Sequence, residues 1–224
     1  MKSQMQRRIE QTADGSATLY VPELDERYHS VKGAQTESEH IFIGLGMQEW
    51  CSKHPGETLR IFEAGFGTGL NALLALEEAE RTQTDTTYIS AELYPLRWEE
   101  VAPLHYSESP LLQALHEAPW GTPTRITPHF TLHKVQADLS RMAFPECDVV
   151  FYDAFAPEKQ PHLWSEDIFR ALWQVLTPGG ILTTYCAKGE VRRRLQRAGF
   201  TVERMPGPPG GKREVLRATA SEEV

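Results

Sequence analysis

Leu59-Arg60-Ile61-Phe62-Glu63-Ala64-Gly65-Phe66-Gly67-Thr68-Gly69-Leu70-Asn71 is the stretch that decides the fold of this chain. Leu59 to Phe62 reads as a buried strand. Leu70 to Ala79 reads as a helix, with Leu70, Leu73, Leu74 and Leu76 on one apolar stripe. Glycines packed into a strand-to-helix turn let backbone approach a ligand closely, with the helix N-terminus behind it. Such a turn is a nucleotide cradle.

The spacing narrows the choice of nucleotide. Dinucleotide sites carry G-x-G-x-x-G, whereas this chain has G-x-G-x-G preceded by Glu63. A carboxylate there would repel a pyrophosphate but suits the cationic methionine end of S-adenosylmethionine. Thr87 to Ala91 is the next apolar segment, and it closes on Glu92, an acid able to take both ribose hydroxyls. Leu132 to Ala137 is followed by Asp138, which can face the adenine amine. Three acids ending three successive strands predict S-adenosylmethionine, with a nicotinamide or flavin dinucleotide as the alternative.

Working outward, Arg7 to Thr12 and Ala17 to Val21 flank Asp14-Gly15, a hairpin signal. Glu37 to Trp50 reads as helical, as do pieces near Arg97 to Leu104 and Pro110 to Glu117. Thr124 to Gln136 is rich in β-branched and aromatic residues and suggests two strands bent at Pro128. Asp148 to Tyr152 is a buried strand. Ser165 to Leu176 is a helix stopped by Pro178-Gly179-Gly180. A strand follows at Ile181 to Tyr185, then a helix at Gly189 to Ala198. Strands at Phe200 to Met205 and Glu214 to Ala218 close the chain. Strand and helix alternate from Leu59 to Leu176, so the expected fold is α/β: a Rossmann-like, mostly parallel seven-stranded sheet with one antiparallel strand, plus an N-terminal β-hairpin. Residues 1–36 form the hairpin and lead-in, and 37–224 the catalytic domain.

At 224 residues the chain can bury a large core as one domain. No uninterrupted apolar run approaches the roughly 18 residues of a membrane span. Met1-Lys2-Ser3-Gln4 lacks the apolar stretch of a signal peptide. Cys51, Cys147 and Cys186 are scattered, with no C-x-x-C spacing; Cys147 and Cys186 fall in expected strands as small apolar fillers. No metal site and no obligate protein partner is expected, and the cytoplasm is the natural compartment. The net charge of −8 argues against indiscriminate coating of nucleic acid, but Lys188 to Arg217 holds nine basic residues against three acids. Arg192, Arg193, Arg194 and Arg197 within it form either a solvated helix face or a phosphate-contacting patch.

The second chemical segment is Asp153-Ala154-Phe155-Ala156-Pro157, directly after the Asp148 to Tyr152 strand. Ligands of open α/β sheets gather at the carboxyl ends of strands, where strand order reverses. An acceptor amine has a pKa of about 10, so a carboxylate that holds or removes its proton exposes the lone pair. Asp153 has that chemistry and Phe155 can wall the acceptor. A turn-capping aspartate and a core phenylalanine are the bland account. Trp164 and His162 read as packing or surface residues.

The segments E-A-G-F-G-T-G-L-N, A-E-L-Y-P-L, F-Y-D-A-F-A-P-E-K-Q-P-H-L-W, L-T-P-G-G-I-L-T-T-Y, V-R-R-R-L-Q-R-A-G-F and G-K-R-E-V-L occur here in that order. They resemble the methyltransferase domain of the MnmC family, tRNA 5-methylaminomethyl-2-thiouridine methyltransferases, from about Tyr28 to Arg217. The resemblance implies S-adenosylmethionine as methyl donor and the aminomethyl group of a tRNA wobble uridine, in the anticodon stem-loop, as acceptor. It places Glu63, Gly65, Phe66, Gly67, Thr68, Gly69 and Asn71 in the cofactor loop, Glu92 at the ribose and Asp138 near the adenine. Asp153 and Phe155 face the amine, and Asp153 also borders the cofactor. Lys212 and Arg213 lie near RNA, alongside Arg192, Arg193 and Arg197. Gln35-Thr36-Glu37-Ser38 resembles an acidic stretch that closes over the cofactor. The chain departs from the family in having Ala154 where glycine is common and His162 where an acid is common. A single glycine-rich cradle leaves no place for the flavin-dependent oxidase domain of the fused family members, so the aminomethyl uridine would be made elsewhere. An amine methyltransferase for a small molecule or protein, a nicotinamide-dependent oxidoreductase, and a binding module without chemistry remain alternatives.

Overall fold

The computed structural model describes residues 6–29, 32–107 and 109–220. The leader expectation for Met1 to Gln4 lies outside these residues. Strands β4 (Leu59–Ala64), β5 (Thr86–Glu92), β7 (Phe130–Gln136), β8 (Cys147–Tyr152) and β9 (Leu176–Thr184) pair in parallel, in the order β9-β8-β4-β5-β7. β11 (Glu214–Ala220) runs antiparallel beside β9, and β10 (Phe200–Pro206) pairs antiparallel with β11 at that edge. The seven expected strands are therefore present. An eighth, β6 (Thr124–Thr127), pairs antiparallel with β7 and covers the other edge. Pro128 sits in the bend between them, where its missing N–H costs the ladder nothing.

Strand parity sorts the side chains into two cores. Ile61, Val149, Phe151 and Ile181 face one side, while Phe62, Val150, Tyr152 and Leu182 face the other. Helices cover the first side: α1 (Ala34–Ser38), a π-helical run (Glu39–Gln48) and α2 (Glu49–Lys53) in continuous succession, then α3 (Leu70–Thr82), α4 (Trp98–Val101) and α5 (Leu111–Glu117). The second side carries α6 (Glu166–Val175) and α7 (Gly189–Arg197). Burial on both faces explains why β4 and β8 read as continuous apolar runs. Asp148, at the start of β8, pins the sheet's lower end. Its Oδ2 accepts the Arg60 amide (2.8 Å) and Nε–H (3.1 Å), and its Oδ1 accepts from Arg60 Nη2 (2.9 Å) and Thr177 (3.0 Å).

Several boundaries differ from expectation. The first helical stretch begins at Ala34, ahead of the boundary drawn at 36, and runs to Lys53 with a π-helical middle that apolar spacing does not distinguish from an α-helix. Ser165 caps α6, its hydroxyl accepting from the Ile168 amide. The helix ends at Val175, before Pro178-Gly179-Gly180, because Leu176 is already extended and pairs with Cys147. Pairing resumes with Val149 opposite Ile181, so the Pro-Gly-Gly stretch is a bulge inside β9 rather than the terminator of α6. Cys147 is in β8 as expected, but Cys186 lies just past β9; both are buried and free.

The N-terminal hairpin, β1 (Arg8–Gln11) and β2 (Ala17–Val21), gains a short third strand, β3 (Glu26–Arg27). Ala17 and Leu19 join the same core as Leu59 and Ile61. Asp14 at the hairpin turn ties it to α1: Oδ2 accepts the Thr36 amide (3.2 Å) and hydroxyl (3.0 Å), while Oδ1 accepts from Thr12 and Ser16. These hydrogen bonds outweigh burial and hold the Asp14 carboxyl well below the usual range. The chain order thus crosses from β4 through β5 and β7 and returns to β8 on the opposite side of β4. The reversal lies between Ala64 and Tyr152, and both segments after it carry functional candidates.

Candidate active site

Two cavities meet at this reversal point. The first, about 350 Å³, is walled by Gly65, Phe66, Gly67, Thr68 and Asn71 of the glycine turn, by Glu92, Asp138 and Leu139, and by Asp153 and Phe155. Gly67 and Gly69 hold positive φ angles of +51° and +74°, which L side chains rarely adopt. A Cβ on Gly67 would stand 3.0 Å from the Tyr28 ring, and one on Gly69 would stand 2.9 Å from His116 Nε2. Phe66 turns back to meet His116 edge-on. Burial lowers the pKa of His116, and its Nε2–H donates to the Thr68 carbonyl (2.9 Å). Beneath it the buried Lys134 ammonium donates to the His116 carbonyl (2.6 Å) and lies over the Trp120 ring, with burial lowering its pKa to about 8. The turn is braced from below as well as by its glycines.

The acids around the first cavity have distinct settings. Glu92 accepts the Gly67 amide on Oε2 (3.2 Å) and the Tyr94 amide on Oε1 (2.8 Å), which fixes its carboxylate at the end of β5. Burial raises its pKa. Asp138 takes both the Ser140 amide (2.9 Å) and hydroxyl (2.7 Å) on Oδ1, which lowers its pKa. Asp153 Oδ2 accepts from Asn71 Nδ2 (2.9 Å); burial nevertheless pushes its pKa up to about 8. Glu63 departs from expectation. It is completely buried and lies on the wall of neither cavity, its Oε2 accepting the Ser90 hydroxyl (2.7 Å). Parity is the cause: Glu63 shares the α3-facing side of β4 with Ile61, beside Ser90 in register. Gly69 also lies behind the wall, as the left-handed residue preceding α3.

The second cavity, about 330 Å³, shares Tyr28, His29, Asp153, Ala154 and Phe155 with the first and adds Glu26, Glu37, Ser38, Tyr185 and Lys212. The Asp153 to Phe155 segment is fixed by aromatic side chains: Tyr185 donates to the Ala154 carbonyl (2.9 Å) and Trp164 Nε1–H to that of Phe155 (2.8 Å). Trp164 is a core residue as expected, yet it also sets this loop. Tyr28 meets Phe155 edge-on, with ring centroids 5.2 Å apart. Glu37 and Ser38 line this second cavity and not the first. His162 lines the first cavity.

The basic candidates separate. Lys212 ion-pairs with Glu37 (2.8 Å) and sits 4.0 Å over the Tyr185 ring, inside the second cavity. Arg197 pairs with Glu166 (2.7 Å), and Arg194 with Glu190. Arg192 is half-buried, while Arg193 and Arg213 are exposed with no ion pair among the described residues. The sequence reading missed Tyr28, His29 and Tyr185, which belong to no recognisable spacing. Among the described residues no cluster of His, Cys, Asp or Glu is arranged to hold a metal ion, and no helix is long and apolar enough to cross a membrane.

The donor set fits S-adenosylmethionine. Three acids, Glu92, Asp138 and Asp153, line the first cavity with the backbone of Gly65 and Gly67; they suit a cationic nucleoside and oppose a pyrophosphate. Residues 113–221 match a family described as S-adenosyl-L-methionine-dependent methyltransferase. With this, the class is defined by fold and cofactor: a Rossmann-like methyltransferase fold that takes S-adenosylmethionine. Within it, the chain is 33% identical over 219 residues to the tRNA 5-methylaminomethyl-2-thiouridine biosynthesis bifunctional protein MnmC of Cupriavidus necator, covering 89% of this chain and 32% of that protein. The MnmC protein of an Azoarcus species is 33% identical over 223 residues, covering 89% and 34%. The chain thus spans about one third of the length of the curated relatives it matches. The crystal structure of MNMC2 from Aquifex aeolicus superposes with a TM-score of 0.78 at 26% identity, covering 100% of this chain and 73% of that one.

Proposed function

We propose that this chain methylates the aminomethyl nitrogen of 5-aminomethyl-2-thiouridine at the tRNA wobble position, in the cytoplasm. The observation that carries the reading is the meeting of two cavities at one carboxylate, Asp153, whose Oδ2 is held by Asn71 and whose loop is held by Tyr185 and Trp164. Glu92 holds the cofactor ribose, Asp138 faces the adenine amine, and the backbone of Gly65 to Thr68 takes the methionine portion. When bound, S-adenosylmethionine supplies the methyl group on a positively charged sulfur.

Asp153 acts on the acceptor. An alkylamine is an ammonium ion at neutral pH, so one N–H must be removed and the others aimed away from the donor. With the cofactor's positive charge beside it, Asp153 is a carboxylate that accepts an N–H and takes up the proton. Phe155, Tyr28 and Tyr185 wall the base, and fixing the two reactants in line is worth on the order of 7–11 kcal/mol in ideal cases. Lys212, held by Glu37, stands at the acceptor cavity rather than on the outer surface. Exposed Arg193 and Arg213 contact phosphates of the anticodon stem-loop. Incubation with labelled S-adenosylmethionine and tRNA from cells lacking this protein, followed by nucleoside analysis, tests the reading. Label in 5-methylaminomethyl-2-thiouridine is expected; label only in a small amine, without need of RNA, would overturn it.

A further inference from the structure

Glu63 is the acid of the glycine motif that lines neither cavity. It has 0% exposure, with Ser90 donating to Oε2 and no hydrogen-bond partner on Oε1. The groups facing it are Ser90 and Tyr88 of β5, Asn71 of α3 and Asp153 after β8, none of them a cation. Asn71 stands between the two carboxyl groups. Its Nδ2 donates to Asp153, but its Oδ1 is buried and has no donor. An ionised carboxylate only accepts hydrogen bonds. Glu63 as an anion would therefore leave Oδ1 unsatisfied, and turning the amide over would set Oδ1 against Asp153. A single proton on Glu63 gives Asn71 Oδ1 its donor, and the buried Tyr88 hydroxyl, also without a partner, faces the same carboxyl group.

We propose that Glu63 is a neutral carboxylic acid whose O–H donates to Asn71 Oδ1, so that the amide is locked with Nδ2 on Asp153: a positioning residue, not a cofactor ligand. The consequence for methyl transfer deepens the function proposed above and rests on it; the protonation itself does not. Burial, helped by the charge of Asp153, raises the Glu63 pKa to about 8 against the pull of hydrogen bonds from Ser90, Asn71 and Tyr88, in agreement with the geometry. Asp153 Oδ1 has no partner among the described residues and is the oxygen left for the acceptor. Lys212 and Glu37, the charged groups on its acceptor side, bear on Asp153 and not on Glu63.

Infrared difference spectra of protein labelled at its glutamate carboxyl carbons, wild type minus Glu63→Gln, test the protonation without any methyl acceptor. At neutral pH they should show a carboxylic-acid carbonyl band belonging to Glu63; carboxylate bands alone would overturn the proposal. Binding of S-adenosylmethionine by calorimetry gives a second reading. The glutamine side chain keeps a carbonyl for Ser90 and an N–H for Asn71, so affinity should stay within about twofold. A direct charged contact to the cofactor would instead cost about tenfold or more on this substitution, and that result would also overturn it. With tRNA, Glu63→Ala should lower kcat by about tenfold, the worth of one buried hydrogen bond, with little change in the cofactor KM, and shift the limb of the pH profile that reports Asp153. Glu63→Gln should restore both. Failure of glutamine to rescue would sink the positioning role, whereas absence of transfer by wild type would sink the proposed substrate and leave the infrared result standing.

Discussion

Replacing Glu63 with glutamine should stabilise the ligand-free protein at neutral pH, and by an amount the buried site defines. Folded, Glu63 keeps its proton up to about pH 8; unfolded, it ionises at about pH 4.3, the ordinary value for glutamate. Below the unfolded value both states are protonated and the group is neutral in its effect. Between the two values the folded state binds the extra proton, so stability falls as pH rises, by about 1.4 kcal/mol per pH unit. Above about pH 8 the loss is complete. From about pH 5.5 to about 7.5 wild type should lose about 2–3 kcal/mol through this residue, somewhat under a hundredfold in the unfolding constant. A glutamine there cannot titrate. It fills nearly the same volume, so the two proteins should be closest in stability at the lower pH, and the variant should gain on wild type by that amount at the higher. Asp153 adds a slope of the same sign, reduced by its partial exposure to solvent, in both proteins. Urea unfolding followed by tryptophan fluorescence at the two pH values measures the difference. Parallel pH profiles for wild type and Glu63→Gln would refute the buried neutral acid.

Three further outcomes follow from the site. S-adenosylmethionine binding at neutral pH should release protons, because a bound cation returns Asp153 from about 8 toward its ordinary value; calorimetry in two buffers of different ionisation enthalpy should detect the release, and Asp153→Asn should abolish it. Gly69→Ala, which combines a φ of +74° with a Cβ 2.9 Å from His116, should cost about 1–3 kcal/mol of stability and weaken cofactor binding, read by thermal unfolding with and without cofactor. Arg193→Glu and Arg213→Glu should lower tRNA affinity and flatten its salt dependence, whereas Lys212→Ala should act on kcat and on the acceptor KM, since its charge is already paired with Glu37. Unchanged tRNA affinity after both arginine reversals would remove phosphate binding from that surface.

What the chain reveals without its structure is mostly what short stretches encode. The β4–α3 turn, the parallel sheet and the antiparallel end are legible because strand parity, helix periodicity and glycine placement are local. The second cavity is not local. Tyr28 and His29 arrive from the segment after β3, Glu37 from α1, Tyr185 from the end of β9 and Lys212 from the loop between β10 and β11. None has a spacing that announces it, and Lys212 read as phosphate-facing because nothing in sequence shows Glu37 beside it. Lys134 is similarly silent: an alternating strand presents a lysine as solvent-facing until Phe66 and Trp120 close over it.

The four acids show how far strand-end reasoning extends, and where one residue matters. Glu92 is the last residue of β5, Asp153 follows β8 by one position, and Asp138 follows β7 by two. All three line the first cavity, since side chains at or beyond a strand's carboxyl end project over the sheet edge. Glu63 is the penultimate residue of β4, so pleating still governs it and turns it into the layer beneath α3. The acid nearest the glycine motif is thus the one turned away from both cavities, and the low dielectric that surrounds it favours the proton over the charge. A carboxyl group moved one residue toward Gly65 would face the cavity as an anion. Where it stands, Asn71 and Asp153 are the cavity-lining groups it faces.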